Sequence, residues 1–280
     1  MRSILLFFGI VLMGVVTAQA PTDASRETIR PLEPTPYNRT EKIDAFEPGE
    51  WLKFRIHYGI FNASFATLHL KTDSLNGQRV YHAVGEGKTT GLARAFFKVD
   101  DLYESYFSMD SIKPLRFIRK IDEGGYTKDV EIDFDYGDNQ AIITDNKHNK
   151  TTYVDVHKDI QDLVSASYYL RSNYRAEAYK EGEFLDMDML FDNQIFKFRL
   201  KYLGKEVLRT KFGKVECLKF RPYVQAGRIF KERESLTLWV SNDYNRIPVR
   251  IKADLAVGSL KADLDAFNGL RNQFKIIMRQ

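Results

Sequence analysis

The chain has 280 residues, 44% hydrophobic, 13% aromatic and 29% charged, with a net charge of +4. This is too apolar for a disordered chain, and its charges are interspersed rather than gathered into the basic stripe that nucleic-acid binding needs. One cysteine, Cys217, excludes an internal disulfide framework, so the fold must rest on its hydrophobic core.

The first residues read as an address. Arg2 supplies a basic start, Ile4 to Val16 a short apolar run, and Ala18-Gln19-Ala20 a small-residue cleavage signal. Residues 1–20 are therefore expected to be a signal peptide. The run is shorter than the roughly 20 residues of a comfortable transmembrane helix, and no cysteine follows it to carry a lipid anchor. The expectation is a bacterial protein exported to the periplasm or cell envelope and not integral to a membrane after cleavage. Pro21, Pro31, Pro34 and Pro36 mark residues 21–45 as a flexible proline-rich linker. Residues 46–280 are expected to form a single β-rich domain.

Period-two alternation begins at Trp51. Leu52, Phe54, Ile56 and Tyr58 face one way, with Lys53, Arg55 and His57 opposite. A turn over residues 59–62 leads into a second strand at 63–71. Asn76-Gly77 is a hairpin signal joining it to a third at 79–86. Further strands are expected at 96–107, 114–121, 126–136, 141–144 and 151–156. After residue 184 the alternation returns at 185–191, 195–202, 212–223, 230–240 and 247–252, with a last strand at 256–264. Pro248 inside a strand indicates an edge or a bulge.

Residues 159–175 break the pattern. Ile160, Leu163, Val164, Ser167, Leu170 and Tyr174 recur at helical spacing, with Asp159 placed as an N-cap and Asp162 in the first turn. The fold expected is mainly β: an antiparallel sheet curled into an open or partial barrel around one central helix at about 159–175.

The chemical motifs are weak. Gly85-Glu86-Gly87-Lys88-Thr89-Thr90 resembles a phosphate loop, but the position that must be glycine is His82. Nucleotide binding is therefore not expected. Glu131, Asp133, Asp135 and Asp138 miss the calcium-loop spacing and alternate as the wet face of a strand. His57, His69 and His82 lie on three successive strands. His57 and His69 are set too far apart along them for one metal, while His69 and His82 are set as neighbours; no metal or other cofactor is expected. Cys217 sits in a strand-like run as a small buried residue. No Gly-x-Ser-x-Gly motif occurs, and Ser165 and Ser167 are explained by helix packing. Asp101 and Glu104 are three residues apart on a strand, awkward for a catalytic pair. No catalytic residue is assigned.

Four motifs occur in order. They are Phe46-Glu47-Pro48-Gly49-Glu50, Asp100-Asp101-Leu102-Tyr103-Glu104-Ser105 followed by Pro114, Gln161-Asp162-Leu163-Val164-Ser165-Ala166 with Tyr168-Tyr169-Leu170-Arg171, and Leu238-Trp239-Val240-Ser241-Asn242-Asp243 with Ile247-Pro248-Val249. Together they resemble the DUF3108 family of secreted bacterial proteins, a domain of unknown function, over about residues 46–267. Ser64 stands where many members carry glycine. The resemblance implies an architecture similar to LolA- and LolB-like lipoprotein carriers, whose half-barrel sheets hold acyl chains over helices.

Three functions follow as expectations. The first is a non-enzymatic binding or carrier module for a lipid or other amphiphile. Its groove would be lined by Phe54, Ile56, Phe97, Leu163, Tyr169, Leu170, Met187, Met189, Phe198 and Trp239, the same residues that would otherwise fill a solid core. Gln161, Asp162 and Arg171 are read as structural, with Asp162 and Arg171 pinning the helix to the sheet. The second is a structural or interaction protein of the envelope, using the linker and its Tyr37. The third is a hydrolase acting on envelope polymers through Asp101 or Glu104.

Overall fold

The structure, a computed structural model, describes residues 44–59, 61–174, 179–226, 229–230, 236–255 and 257–277. The expected signal peptide and linker lie outside these residues except for Asp44 and Ala45. Ala45 is buried, and its carbonyl accepts a hydrogen bond from Arg171.

Fourteen strands form one continuous antiparallel path that does not close. The first half is a meander: β1 (Trp51–Tyr58), β2 (Phe61–Leu75), β3 (Gln78–Thr89), β4 (Asp100–Ser108), β5 (Pro114–Glu123), β6 (Tyr126–Asp135), β7 (Gln140–Asp145) and β8 (Lys150–Asp155). The second half comprises β9 (Phe184–Phe191), β10 (Gln194–Thr210), β11 (Gly213–Ala226), β13 (Leu236–Ser241), β14 (Pro248–Asp254) and β15 (Ser259–Asn268), while β12 (Ile229–Phe230) pairs off the path with β11. The halves join where the first strand pairs with the last, from Trp51↔Asn268 to Tyr58↔Leu260. β8 is then one edge of the sheet and β9 the other.

Local chemistry sets this register. Asn76 (φ 51°) and Gly77 (φ 79°) make the two-residue turn between β2 and β3, closing the ladder at Leu75↔Gln78. The buried positions of β1 alternate as expected, Leu52, Phe54 and Ile56 all being buried. Pro248 lies at a bulge. Trp239 pairs with Arg250 and Val240 with Pro248, leaving Val249 as the extra residue.

The two edges approach each other through the segment between β8 and the second helix. The Gln161 amide donates to the Asp188 carbonyl (3.0 Å), and the Leu190 amide donates to the Gln161 carbonyl (2.8 Å). His157 bonds Asp188 at 2.9 Å. Arg119 on β5 and Lys128 on β6 both bond Asp192 in the β9–β10 turn.

Helix α2 spans Ser165–Asn173, which corrects the expected start. Residues 160–162 are not helical but lie along β9. Asp159 is exposed and caps nothing. Instead, the Asp162 carboxylate accepts the Val164 and Ser165 amides, each at 2.7 Å, and satisfies donors at the helix start. A short helix α1 (Gly91–Phe96) precedes β4, where a strand start was expected. The last strand lies at 259–268 rather than 256–264. In the first hairpin a bulge between Ile56 and His57 sets His69 opposite Trp51, one residue from the expected register.

The core is one large cluster on the inner face. α2 joins it through Tyr168, which is fully buried against Phe46 (4.8 Å between rings) and Phe107 on β4 (5.3 Å). A smaller cluster lies on the opposite face: Leu208, Val215, Cys217, Trp239 and Val249, with Phe274 packed on it.

Candidate ligand cavity

Between α2 and the strands β9–β11, β13–β15, β1 and β2 is a cavity of about 170 Å³. Its wall follows from strand parity. Inward residues alternate along each strand: Leu185 and Met189 on β9, Phe198 and Leu200 on β10, Leu218 and Phe220 on β11, Leu238 and Val240 on β13. Ala66 on β2 and Ala262 on β15 leave space where larger side chains would fill it. α2 and its entry contribute Leu163, Ala166, Ser167 and Leu170. The bulge at Val249 turns both Pro248 and Ile251 inward, leaving Val249 in the outer cluster.

Of the ten groove residues named from the sequence, Phe54, Leu163, Leu170, Met189 and Phe198 line this cavity. Ile56 is buried in the adjoining core, against which the half-buried Tyr169 and Met187 pack. Phe97 lies elsewhere, over Gly124 of the β5–β6 turn, where a Cβ would come within 2.6 Å of its ring. Trp239 points away from the cavity into the outer cluster, its indole donating to Glu206 (3.2 Å).

Of the two arginines in the cavity wall, Arg171 is held by hydrogen bonds within the protein. Arg171 lies within it, and its guanidinium donates to both oxygens of Glu50 (2.6 and 2.5 Å) and to the carbonyls of Ala45 and Asn245. Glu50 is fully buried. Burial disfavours the Arg171 charge, but Glu50 beside it outweighs this and holds the guanidinium above its ordinary pKa. Arg246, buried at a backbone φ of 51°, lies 5.9 Å from the ring of Tyr174; both also line the cavity. Asp162 joins the start of α2 to β4. It takes a hydrogen bond from Ser105 on β4 (2.5 Å) as well as the two helix amides. Complete burial still pushes its carboxyl up to about 6.

The acidic pair that the hydrolase alternative would need is not assembled from Asp101 and Glu104. Asp101 is buried on the inner face, whereas Glu104, three residues along the same strand, points to the other. There Glu104 bonds His82 (2.6 Å), which also bonds Asp73 (3.0 Å) and stacks on Tyr106. His69 is exposed and His57 bonds Asp263, so the three histidines do not converge. The real carboxyl partner of Asp101 is Glu123 on β5. Burial, and then the Glu123 charge, push the Asp101 acid up to about 8, and burial raises Glu123 as well. Asp101 also accepts the Asp122 amide. Glu50 closes the first motif, but neither it nor Glu123 carried a signal for its partner, since each meets that partner only through tertiary pairing.

Gly85–Thr89 is the end of β3 and Thr90 precedes α1, with Lys88 exposed and bonded to Glu86. Cys217 is wholly buried in β11, and burial pushes its thiol up to about 12. Among the described residues no helix is long and apolar enough to cross a membrane.

Comparison with known proteins agrees with this architecture. The chain is similar to a β-barrel-like protein of the DUF1849 domain of unknown function from Brucella abortus, known from a crystal structure. The TM-score is 0.52 at 10% identity, covering 80% of this chain and 98% of that one. This likeness is one of fold alone. No curated protein matches. Residues 53–265 match the profile of the "Protein of unknown function (DUF3108)", a span that includes the β4, α2 and β13–β14 motifs, and the chain belongs to the DUF3108 family.

Proposed function

We propose that this protein is an exported binding or carrier module for an amphiphile, working without catalysis in the periplasm or cell envelope. The carrying observation is the cavity of about 170 Å³, walled almost wholly by apolar side chains from eight strands and a helix. Interiors are close-packed, and a void of this size forfeits contacts that filling would restore. Alanines at 66 and 262 keep the space open, where larger apolar residues would narrow it. In this reading the sheet is a partial barrel curled about α2, which forms one wall of the ligand site. The apolar run and Ala18-Gln19-Ala20 at the N-terminus support export.

The test is native mass spectrometry of protein isolated from its own cells without unfolding. The expected result is a population carrying one small amphiphile, released when the sample is denatured. Preparations that are repeatedly ligand-free, together with no binding of added amphiphiles in vitro, would instead mark the barrel as a scaffold.

A further inference from the structure

We infer that the ligand presents one short apolar group to this cavity, a single chain of about seven carbons or one ring, and enters it tail first. This rests on the carrier reading and adds the ligand's chemical class. An apolar protein cavity of about 150 Å³ holds one benzene, six carbons. By proportion, about 170 Å³ holds on the order of seven carbons. Drug-sized ligands occupy pockets of roughly 300–1,000 Å³, and a lipid with two or three long acyl chains exceeds this space many times over. The class is therefore narrower than the lipoprotein cargo that a half-barrel architecture brings to mind.

The polarity of the wall gives the orientation. A polar head buried in the cavity would need donors or acceptors to replace water. Arg171 already spends four hydrogen bonds on Glu50, Ala45 and Asn245. Diverting it to a ligand would strand the buried Glu50 carboxylate. Apart from Ser167 and Arg246, the remaining wall is aliphatic or aromatic, with Leu163, Met189, Phe198 and Leu218 among its side chains. The buried end of the ligand is thus hydrocarbon, and its polar end stays outside.

Calorimetric titration with straight-chain primary alcohols from four to fourteen carbons tests this. Affinity should rise about fourfold per methylene, the equivalent of about 0.8 kcal/mol, up to about seven or eight carbons, then stop rising. Ala262→Leu adds about three carbons to the wall and should move the break about three carbons shorter. Leu170→Ala removes about three and should move it longer by the same amount. If Ala262→Leu fails to fold, the shift in Leu170→Ala decides alone. Affinity climbing unbroken to fourteen carbons, one-to-one binding of a diacylglycerol, or a break unmoved by the foldable variants would overturn the chain-length inference while leaving the carrier reading standing. No binding of any alcohol to the wild-type protein would overturn the carrier reading itself.

Discussion

Replacing Glu50 by alanine leaves the Arg171 guanidinium buried without its counter-charge. Arg171 is 4% exposed and Glu50 0%, so water cannot take over the role of the lost carboxylate. Breaking a buried pair by removing one partner costs about 3–5 kcal/mol, a large part of the 5–15 kcal/mol that holds a typical domain folded. Arg171→Ala should cost a similar amount, because it strands Glu50 and also unpairs the carbonyls of Ala45 and Asn245. The double variant strands no charge. It should cost about 2–3 kcal/mol less than the sum of the two single variants, a coupling expected for groups in contact or in one hydrogen-bond network. Urea melts of the four proteins, compared at constant m-value, measure this cycle. Additive losses, or single losses below about 1 kcal/mol, would refute the view that this pair ties α2 to the segment before β1.

Asp162→Ala should cost about 2–4 kcal/mol, since it unpairs the Val164 and Ser165 amides and the Ser105 hydroxyl; Asp162→Asn, which keeps an acceptor for the amides, should cost clearly less in the same melts. The raised Asp101 acid contributes stability that is full below its ordinary value of 3.8 and lost as pH climbs through about 8. Wild-type stability should therefore fall between about pH 4 and 8 relative to Asp101→Asn, and parallel pH–stability curves would show that the Asp101–Glu123 contact does not hold a proton. Cys217, wholly buried with its thiol pushed up to about 12, should resist alkylation by iodoacetamide at pH 8 in the native protein and react fully in urea. Rapid native labelling would place it at an accessible position.

Much of the sheet was legible because its inner face is dry and its outer face wet. β1 alternates so cleanly that its buried side could be named, and Asn76-Gly77 located its hairpin to the residue. Legibility failed where a strand is covered on both faces. Leu238, Trp239 and Val240 are all apolar, because Leu238 and Val240 face the cavity while Trp239 packs with Cys217, Val249 and Phe274 outside. A run buried on both sides carries no parity, so Trp239 could be assigned inward with equal reason. The early helix start has a related cause. Ile160, Leu163 and Val164 are buried like the helical residues after them, but residue 161 is held in extended pairing with β9. Period alone does not separate the two over so few residues. α1 has six residues, too few for any periodicity to register. The charged contacts were least visible. Arg171 was marked by its motif, but Glu50 lies 121 positions away in the chain, and only the closing of β1 on β15 and β2 sets it beside the helix.

That an apolar ligand group occupies the space between α2 and strands β1, β2, β9–β11 and β13–β15 is open to a direct test. Crystals soaked in 1-bromohexane test it most directly, because the bromine's anomalous scattering locates the chain without reference to any prior model. One peak is expected against Leu170 and Phe198, weaker or displaced in Ala262→Leu crystals. Well-diffracting crystals with bromine bound only on the outer surface, and the cavity empty, would contradict it.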